Sequence, residues 1–103
     1  MKPRITRVLP KMKTITEVAY SVTAADYYLV VNASSNAVTI TLPDATIFEG
    51  WDFVVKAVDI TNEVKVISAS GTIDGILAGT GITYIAQYDC YTYTSDGTRW
   101  LLS

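Results

Sequence analysis

Val38-Thr39-Ile40-Thr41-Leu42-Pro43 is the stretch on which the reading of this chain turns. Three aliphatic residues alternate with two threonines, so an extended backbone sends Val38, Ile40 and Leu42 to one face and Thr39 and Thr41 to the other. That period of two is the mark of a strand with one buried face. The β-branched side chains suit a pleated surface. Pro43, which has no amide hydrogen, then ends the ladder.

The same grammar recurs on both sides. Short apolar or alternating runs occupy Ile15–Val22, Tyr27–Val31, Asp52–Val58, Val64–Ile67, Thr72–Leu77, Ile82–Ala86, Asp89–Thr94 and Trp100–Leu102. Turn-forming residues separate them, among them Asn32–Asn36, Glu49-Gly50, Asn62-Glu63, Ser70-Gly71 and Ala78–Gly81. Ser95-Asp96-Gly97-Thr98 is a hairpin signal, since Asp-Gly accepts the positive φ values of a tight turn. Only Asp44–Gly50 leaves room for a helical turn. Eight or nine short strands at this spacing predict an all-β fold, an antiparallel β-sandwich of jelly-roll-like form. At 103 residues the chain fits one domain with a core of its own.

Several runs are apolar on both faces. In Tyr27–Val31, Tyr27, Leu29 and Val31 point one way, while Tyr28 and Val30 point the other. Asp52–Val58 and Ile82–Ala86 behave similarly. The outer face of an antiparallel sheet is normally polar. Isolated surface Tyr and Val are common, but a whole second apolar face predicts self-association. Tyr28, Val30, Val54, Val58 and Ile85 are the expected oligomer interface.

Charge is divided along the chain. Lys2, Arg4, Arg7, Lys11 and Lys13 precede the first acidic residue, Glu17, giving residues 1–14 a charge of +5. The remainder carries three cations against ten acids. Three readings follow for this N-terminal segment: a solvated leader, a nucleic-acid contact, or an arm that docks on a protein. Interleaved aromatics are missing and the acidic body repels phosphate, which argues against nucleic acid. Alternating basic and apolar residues suit a segment that orders on contact. Pro3 and Pro10 disfavour a helix, and fourteen extended residues reach roughly 45–50 Å. The expected division is an extended basic anchoring arm over 1–14 and a β domain over 15–103, with Lys2, Arg4, Arg7, Val8, Leu9, Lys11 and Lys13 as anchoring residues.

The chemistry of catalysis is sparse here. There is no histidine, which removes the usual neutral-pH base and the Ser-His-Asp arrangement. Cys90 is the single cysteine, so no intrachain disulfide forms, and the expected role is a small buried apolar residue. Asp44 with Glu49, or Asp52 with Asp59, are the candidate carboxylate pairs for glycoside hydrolysis. Their places beside turns fit capping better. Asp74 before Gly75 reads as a turn former, and Ala78-Gly79-Thr80-Gly81 lacks the lysine of a phosphate loop. No cofactor and no metal site is expected, and an enzyme is not. No apolar run approaches the ~20 residues of a membrane span, and none follows the opening charges as in a signal peptide. Tyr84, Tyr88, Tyr91, Tyr93 and Trp100 are read first as core and subunit contacts. In the rival reading they form a sugar-stacking platform, with Tyr91 and Tyr93 touching a host-surface glycan.

The order of these pieces resembles a β-sandwich module of phage tail fibres, head fibres and other virion appendages. Ala24–Asn32 is similar to its opening strand and turn, and Ala37-Val38-Thr39-Ile40-Thr41-Leu42-Pro43-Asp44-Ala45 to its V-T-I-T-L-P run. Gly50–Lys56 is similar to the next strand, Ser70-Gly71-Thr72-Ile73-Asp74-Gly75 to its G-T-I-D-G turn, and Ser95–Trp100 to its closing hairpin. Together they span about residues 20 to 103. The resemblance implies a homotrimeric knob on the virion surface, mounted by a distinct N-terminal segment, and the lack of a signal-peptide pattern adds the expectation that it is made in the host cytoplasm. It implies no catalytic residues. A chain of one such module favours a head fibre or capsid decoration protein. The alternative is a tail-fibre knob for host attachment.

Overall fold

The alternation at Val38–Leu42 is realised as a strand whose Val38, Ile40 and Leu42 are fully buried while Thr39 and Thr41 are not. The computed structural model describes residues 12–103, and among them there are nine strands and no helix. They are β1 (Lys13–Ile15), β2 (Ala19–Ser21), β3 (Tyr28–Asn32), β4 (Val38–Leu42), β5 (Asp52–Asp59), β6 (Val64–Ser68), β7 (Ile82–Thr83), β8 (Cys90–Ser95) and β9 (Trp100–Leu102). The all-β expectation holds.

The pairing corrects the antiparallel, jelly-roll-like expectation. One sheet has the order β1-β3-β5-β8-β9 and the other β2-β4-β6-β7. The chain therefore changes sheet at every step from β1 to β6. It returns to each sheet in the same direction, so β1, β3 and β5 are parallel, as are β2, β4 and β6. Parallel neighbours need a long crossover, and here a strand of the opposite sheet supplies it. Only the last third reverses: β7 runs against β6, β8 against β5, and β9 against β8. Both sheets are thus mixed.

This winding splits one run that looked continuous. Ile15–Val22 divides into β1 and β2, on different sheets, with exposed Thr16, Glu17 and Val18 making the crossing. The 13–14 pair, assigned to the arm, begins β1 opposite Leu29 and Val30. Asp44–Gly50 forms successive four-residue turns (Ile47 N–H to Asp44 O, 3.1 Å; Phe48 N–H to Ala45 O, 3.3 Å) and no helix. The hairpin expected at Asp96-Gly97 joins β8 to β9, with Asp96 Oδ1 accepting from the amides of Thr98 and Arg99. Ile73-Asp74-Gly75-Ile76 is a second tight turn. Both central residues have positive φ, and Ile73 and Ile76 exchange amide–carbonyl bonds, as a two-residue hairpin demands.

Inward residues of the two sheets share one core. In-register parallel pairing stacks like upon like: Ile15, Val31 and Ala57 form one row, Leu29 and Val55 another, Val38 and Val64 a third, Ile40 and Val66 a fourth. All nine side chains are completely buried. Phe53, Tyr93 and Trp100 are the largest fully buried side chains of this core, with Phe53 and Trp100 ring centroids 5.7 Å apart. The Trp100 indole N–H donates to Pro43 O at 3.1 Å, so its polar edge is satisfied inside the core.

A second polar link ties the two halves of the fold. Tyr84, just after β7, donates its hydroxyl proton to Val55 O at 2.9 Å, and its oxygen lies 2.8 Å from the Tyr93 hydroxyl. A phenol has one proton, so Tyr93 must be the donor to Tyr84. Tyr93→Phe leaves the Tyr84 bond intact and should cost about 0.5–1.5 kcal/mol, whereas Tyr84→Phe strands the buried Tyr93 proton and should cost about 1–3 kcal/mol. Urea unfolding of the two variants measures the order. Gly81 (φ +61) abuts β6, and a Cβ there would collide with the Val66 carbonyl oxygen. Gly81→Ala should therefore lose at least ~2 kcal/mol in the same assay.

Candidate functional site

Strand parity decides what each sheet shows to its surroundings. On the four-stranded sheet, Ala19, Thr39, Lys65 and Thr83 form one outward row, and Ser21, Thr41 and Ile67 a second. That face is polar apart from Ala19 and Ile67. On the five-stranded sheet, Tyr28, Val54 and Thr92 form one row, and Thr14, Val30, Lys56 and Cys90 another. Its apolar residues, Tyr28, Val30 and Val54, adjoin Lys56 on the central strand. Tyr28 and Val30 are half-buried and Val54 is 9% exposed, so neighbours on the sheet already shield part of this surface.

Of the five residues expected at an oligomer interface, three therefore meet on one face: Tyr28, Val30 and Val54. Val58 sits at a bulge. Val31 pairs with Ala57 and Asn32 with Asp59, leaving Val58 without a partner on β3. Ile85 departs from the expected strand over Ile82–Ala86. β7 ends at Thr83, so Ile85 lies on no strand face but in the following loop, where it is 84% exposed. That loop is pinned back on β5 by Gln87 Nε2 donating to Val58 O and Tyr88 N–H donating to Ala57 O.

Cys90 is also corrected. Tyr91, Tyr93 and Ser95 take the inward parity of β8, so Cys90 faces outward and is exposed. Its Sγ lies 3.9 Å from the Tyr28 hydroxyl. Of the proposed glycan contacts, Tyr93 is fully buried and has no surface to offer. Tyr91 is half-buried and meets Tyr84 edge-on, with ring centroids 5.1 Å apart. Tyr84 and Trp100 are core residues too, and only Tyr88 of that aromatic series is exposed.

Lys2, Arg4, Arg7, Val8, Leu9 and Lys11 lie outside the described residues. Lys13 is exposed, but its ammonium is engaged: Nζ donates to the Tyr20 hydroxyl at 3.0 Å and sits 4.6 Å from that ring's centroid. This bond holds the Lys13 pKa above its ordinary value. The Tyr20 hydroxyl in turn donates to Asp26 Oδ2 at 2.8 Å.

Of the candidate acids, Asp44 and Asp59 serve turns. Asp44 accepts from the amide and hydroxyl of Thr46, and Asp59 from the amide of Thr61. Asp52 and Asp59 close opposite ends of β5. Seven strand steps place them roughly 23 Å apart, well outside the carboxyl spacing of glycosidases. Among the described residues no three metal-ligating side chains converge.

Sequence reading missed one concavity. The segment before β3 and the segment before β5 enclose an open cleft of about 300 Å³, lined by Ala24, Asp26, Tyr27, Gly50, Trp51 and Asp52. Trp51 is 43% exposed, and its ring is braced edge-on by Phe48 at 5.1 Å. The signal available was Gly50-Trp51-Asp52, an aromatic and an acid after a turn glycine. Its partner segment lies about two dozen residues earlier and becomes a neighbour only through the parallel pairing of β3 with β5.

Comparison with protein-family models, curated proteins and solved structures finds no match for this chain.

The titrating groups bound the stability of this arrangement. Burial pushes the Tyr84 and Tyr93 phenols well above their ordinary value. A raised folded pKa gives stability that is complete below the unfolded value, near pH 10, and lost as pH climbs through it. Backbone amides hold Asp44, Asp59 and Asp96 below the ordinary carboxylate value, so their contribution is present above about pH 4 and lost in acid. The urea midpoint should be level from about pH 6 to 9 and fall on both sides. Tyr84→Phe should flatten the alkaline limb while leaving the acid limb unchanged.

Proposed function

We propose that this chain is a non-enzymatic structural protein of a phage virion, a homotrimeric head fibre or capsid decoration knob displayed on the particle surface. The observation that carries the reading is the inequality of the two outer faces. A polar, threonine- and lysine-bearing face is at home in water. A face on which Tyr28, Val30 and Val54 cluster beside a single lysine, Lys56, loses less by being covered. A symmetric assembly uses the same patch on every copy. Three-fold symmetry, rather than two-fold, comes from the resemblance to fibre modules carried by Val38–Ala45, Ser70–Gly75 and Ser95–Trp100.

The basic N-terminal segment is the proposed attachment to the particle. Lys2, Arg4, Arg7 and Lys11 supply charge, and Val8 and Leu9 apolar anchors, for an acidic groove on a capsid or other virion protein. Lys13 contributes less to that contact, because its ammonium is already bound to Tyr20 within the β domain. Cutting the chain before Met12 is the cleaner experiment, since a cut after Thr14 removes most of β1.

Light scattering at micromolar concentration should give three times the protomer mass. Val30→Lys, on the apolar face, should shift the oligomer toward monomer, whereas Thr39→Lys, on the polar face, should not. A wild-type monomer at that concentration sinks the assembly reading. Deletion of residues 1–11 should leave the oligomer intact and abolish its attachment to particles. Attachment that survives the deletion refutes the anchoring role. Added salt should weaken an exposed charge-driven contact through screening.

A further inference from the structure

The cleft before β3 and β5 has a chemistry that selects its occupant. Trp51 is held in place before any ligand arrives. Its amide donates to Phe48 O at 2.9 Å, its carbonyl accepts from Ser95 N–H at 3.1 Å, and Phe48 and Phe53 back its ring. A rigid aromatic face loses little entropy on contact. Tyr27 adds a second ring to the lining, half-buried at the foot of β3.

The polar side chains of the cleft include two carboxylates. Asp26 is only 8% exposed. Its Oδ2 accepts from the Tyr20 hydroxyl at 2.8 Å, the Thr23 amide at 2.9 Å and the Thr23 hydroxyl at 3.2 Å. Among the described residues, none donates to Oδ1. Asp52 Oδ1 accepts from the Thr94 hydroxyl at 2.7 Å, and its exposed carboxylate retains acceptor capacity. Among the described residues, no lysine or arginine lines the cleft. A ligand must therefore bring hydrogen-bond donors to the carboxylates and an apolar face to the rings.

Charge narrows the choice. Anionic groups meet two carboxylates with no compensating cation among the described lining residues, and like charges at close range disfavour them. The need for a cationic ligand is reduced as well, because Lys13 already answers Asp26 through Tyr20. A neutral sugar ring meets both demands, with C–H groups on one face and hydroxyl donors at its rim. Hydroxyl bonds to an ionised acceptor are the stronger kind. The volume, about 300 Å³, lies at the small end of ligand pockets and suits one or two rings.

We propose that this cleft binds a neutral pyranose unit of a glycan, with its C–H face on Trp51 and its hydroxyls donating to Asp52 and to Asp26 Oδ1. The site shares no residue with the apolar face of Tyr28, Val30 and Val54, so it stands or falls separately from the assembly reading. It also replaces Tyr91 and Tyr93, which the fold turns toward the core, as the place where a sugar would be held.

The test is an amide and indole NMR titration of the full chain with four neutral oligosaccharides: maltotriose, mannotriose, chitotriose and a β-galactobiose. Arginine amide and a trigalacturonate serve as contrasting probes. At least one neutral sugar, at up to about 10 mM, should shift the Trp51 indole N–H with the amides of Ala24, Tyr27 and Gly50. The buried Trp100 indole should stay still. Asp52→Ala, which removes one surface carboxylate, should weaken that binding about tenfold with the rest of the spectrum preserved. Trp51→Ala should abolish it, although it also removes packing against Phe48 and Phe53. The proposal is overturned if none of the four neutral sugars moves these signals. It is overturned equally if only arginine amide or trigalacturonate does, or if Asp52→Ala binds as well as the parent.

Discussion

Each time the chain leaves one sheet for the other, the strand it lays down must run alongside the strand it laid two steps before. That constraint organises the first six strands. It makes β1, β3 and β5 parallel, and likewise β2, β4 and β6. It also forces inward residues into straight rows, because in-register parallel pairing sets each side chain beside its counterpart on the next turn. Ile15, Val31 and Ala57 lie together for that reason, as do Ile40 and Val66. Had any of these residues been polar, its row would have carried an unpaired group through the core, at a cost of about 1–3 kcal/mol.

The reversed strands complete what the winding begins. β8 and β9 cover the far side of β5, and β7 covers β6. The Tyr84 and Tyr93 hydroxyls then tie the loop after β7 to the centre of the opposite sheet through Val55. The outer surface is divided accordingly. The apolar outer face belongs to the broad middle of the five-stranded sheet, while the cleft belongs to the ends of β3 and β5. The two regions are served by the same two strands, but by different residues.

Much of this was legible locally, and little of it globally. The alternation in Val38–Leu42, the hairpin at Asp96-Gly97 and the turn at Asp74-Gly75 depend on two to five neighbouring residues, so they could be read directly. Partnership could not. Turns of the coil are 16 and 26 residues apart in one sheet (Ile15 to Val31, Val31 to Ala57) and 20 and 26 in the other (Ala19 to Thr39, Val38 to Val64). Such unequal spacing shows no repeat, so the crossing at Thr16–Val18, which has no Gly or Pro, passed as the middle of a strand. Cys90 was misplaced because its size argued for burial, although the parity of Tyr91 and Tyr93 pointed the other way. Tyr93 looked available for stacking because nothing nearby in sequence reveals that Tyr84 awaits its proton. Trp51 and Asp52 gained a partner surface only when Asp26 and Tyr27 were brought beside them.

The long reach of each parallel pair also governs how the molecule must come together. None of these ladders can zip up from an adjacent turn; each waits for a segment of 16 to 26 residues to close. Chain closure over such spans is an entropic toll that must be met before any contact rewards it. Chains dominated by distant pairings fold in milliseconds to seconds rather than microseconds. The β8–β9 hairpin can form early, yet its own sheet neighbour β5 lies some forty residues upstream. During that interval the bare edges of β3, β4 and β5 are exposed to other nascent chains, which makes the pace of collapse a determinant of yield.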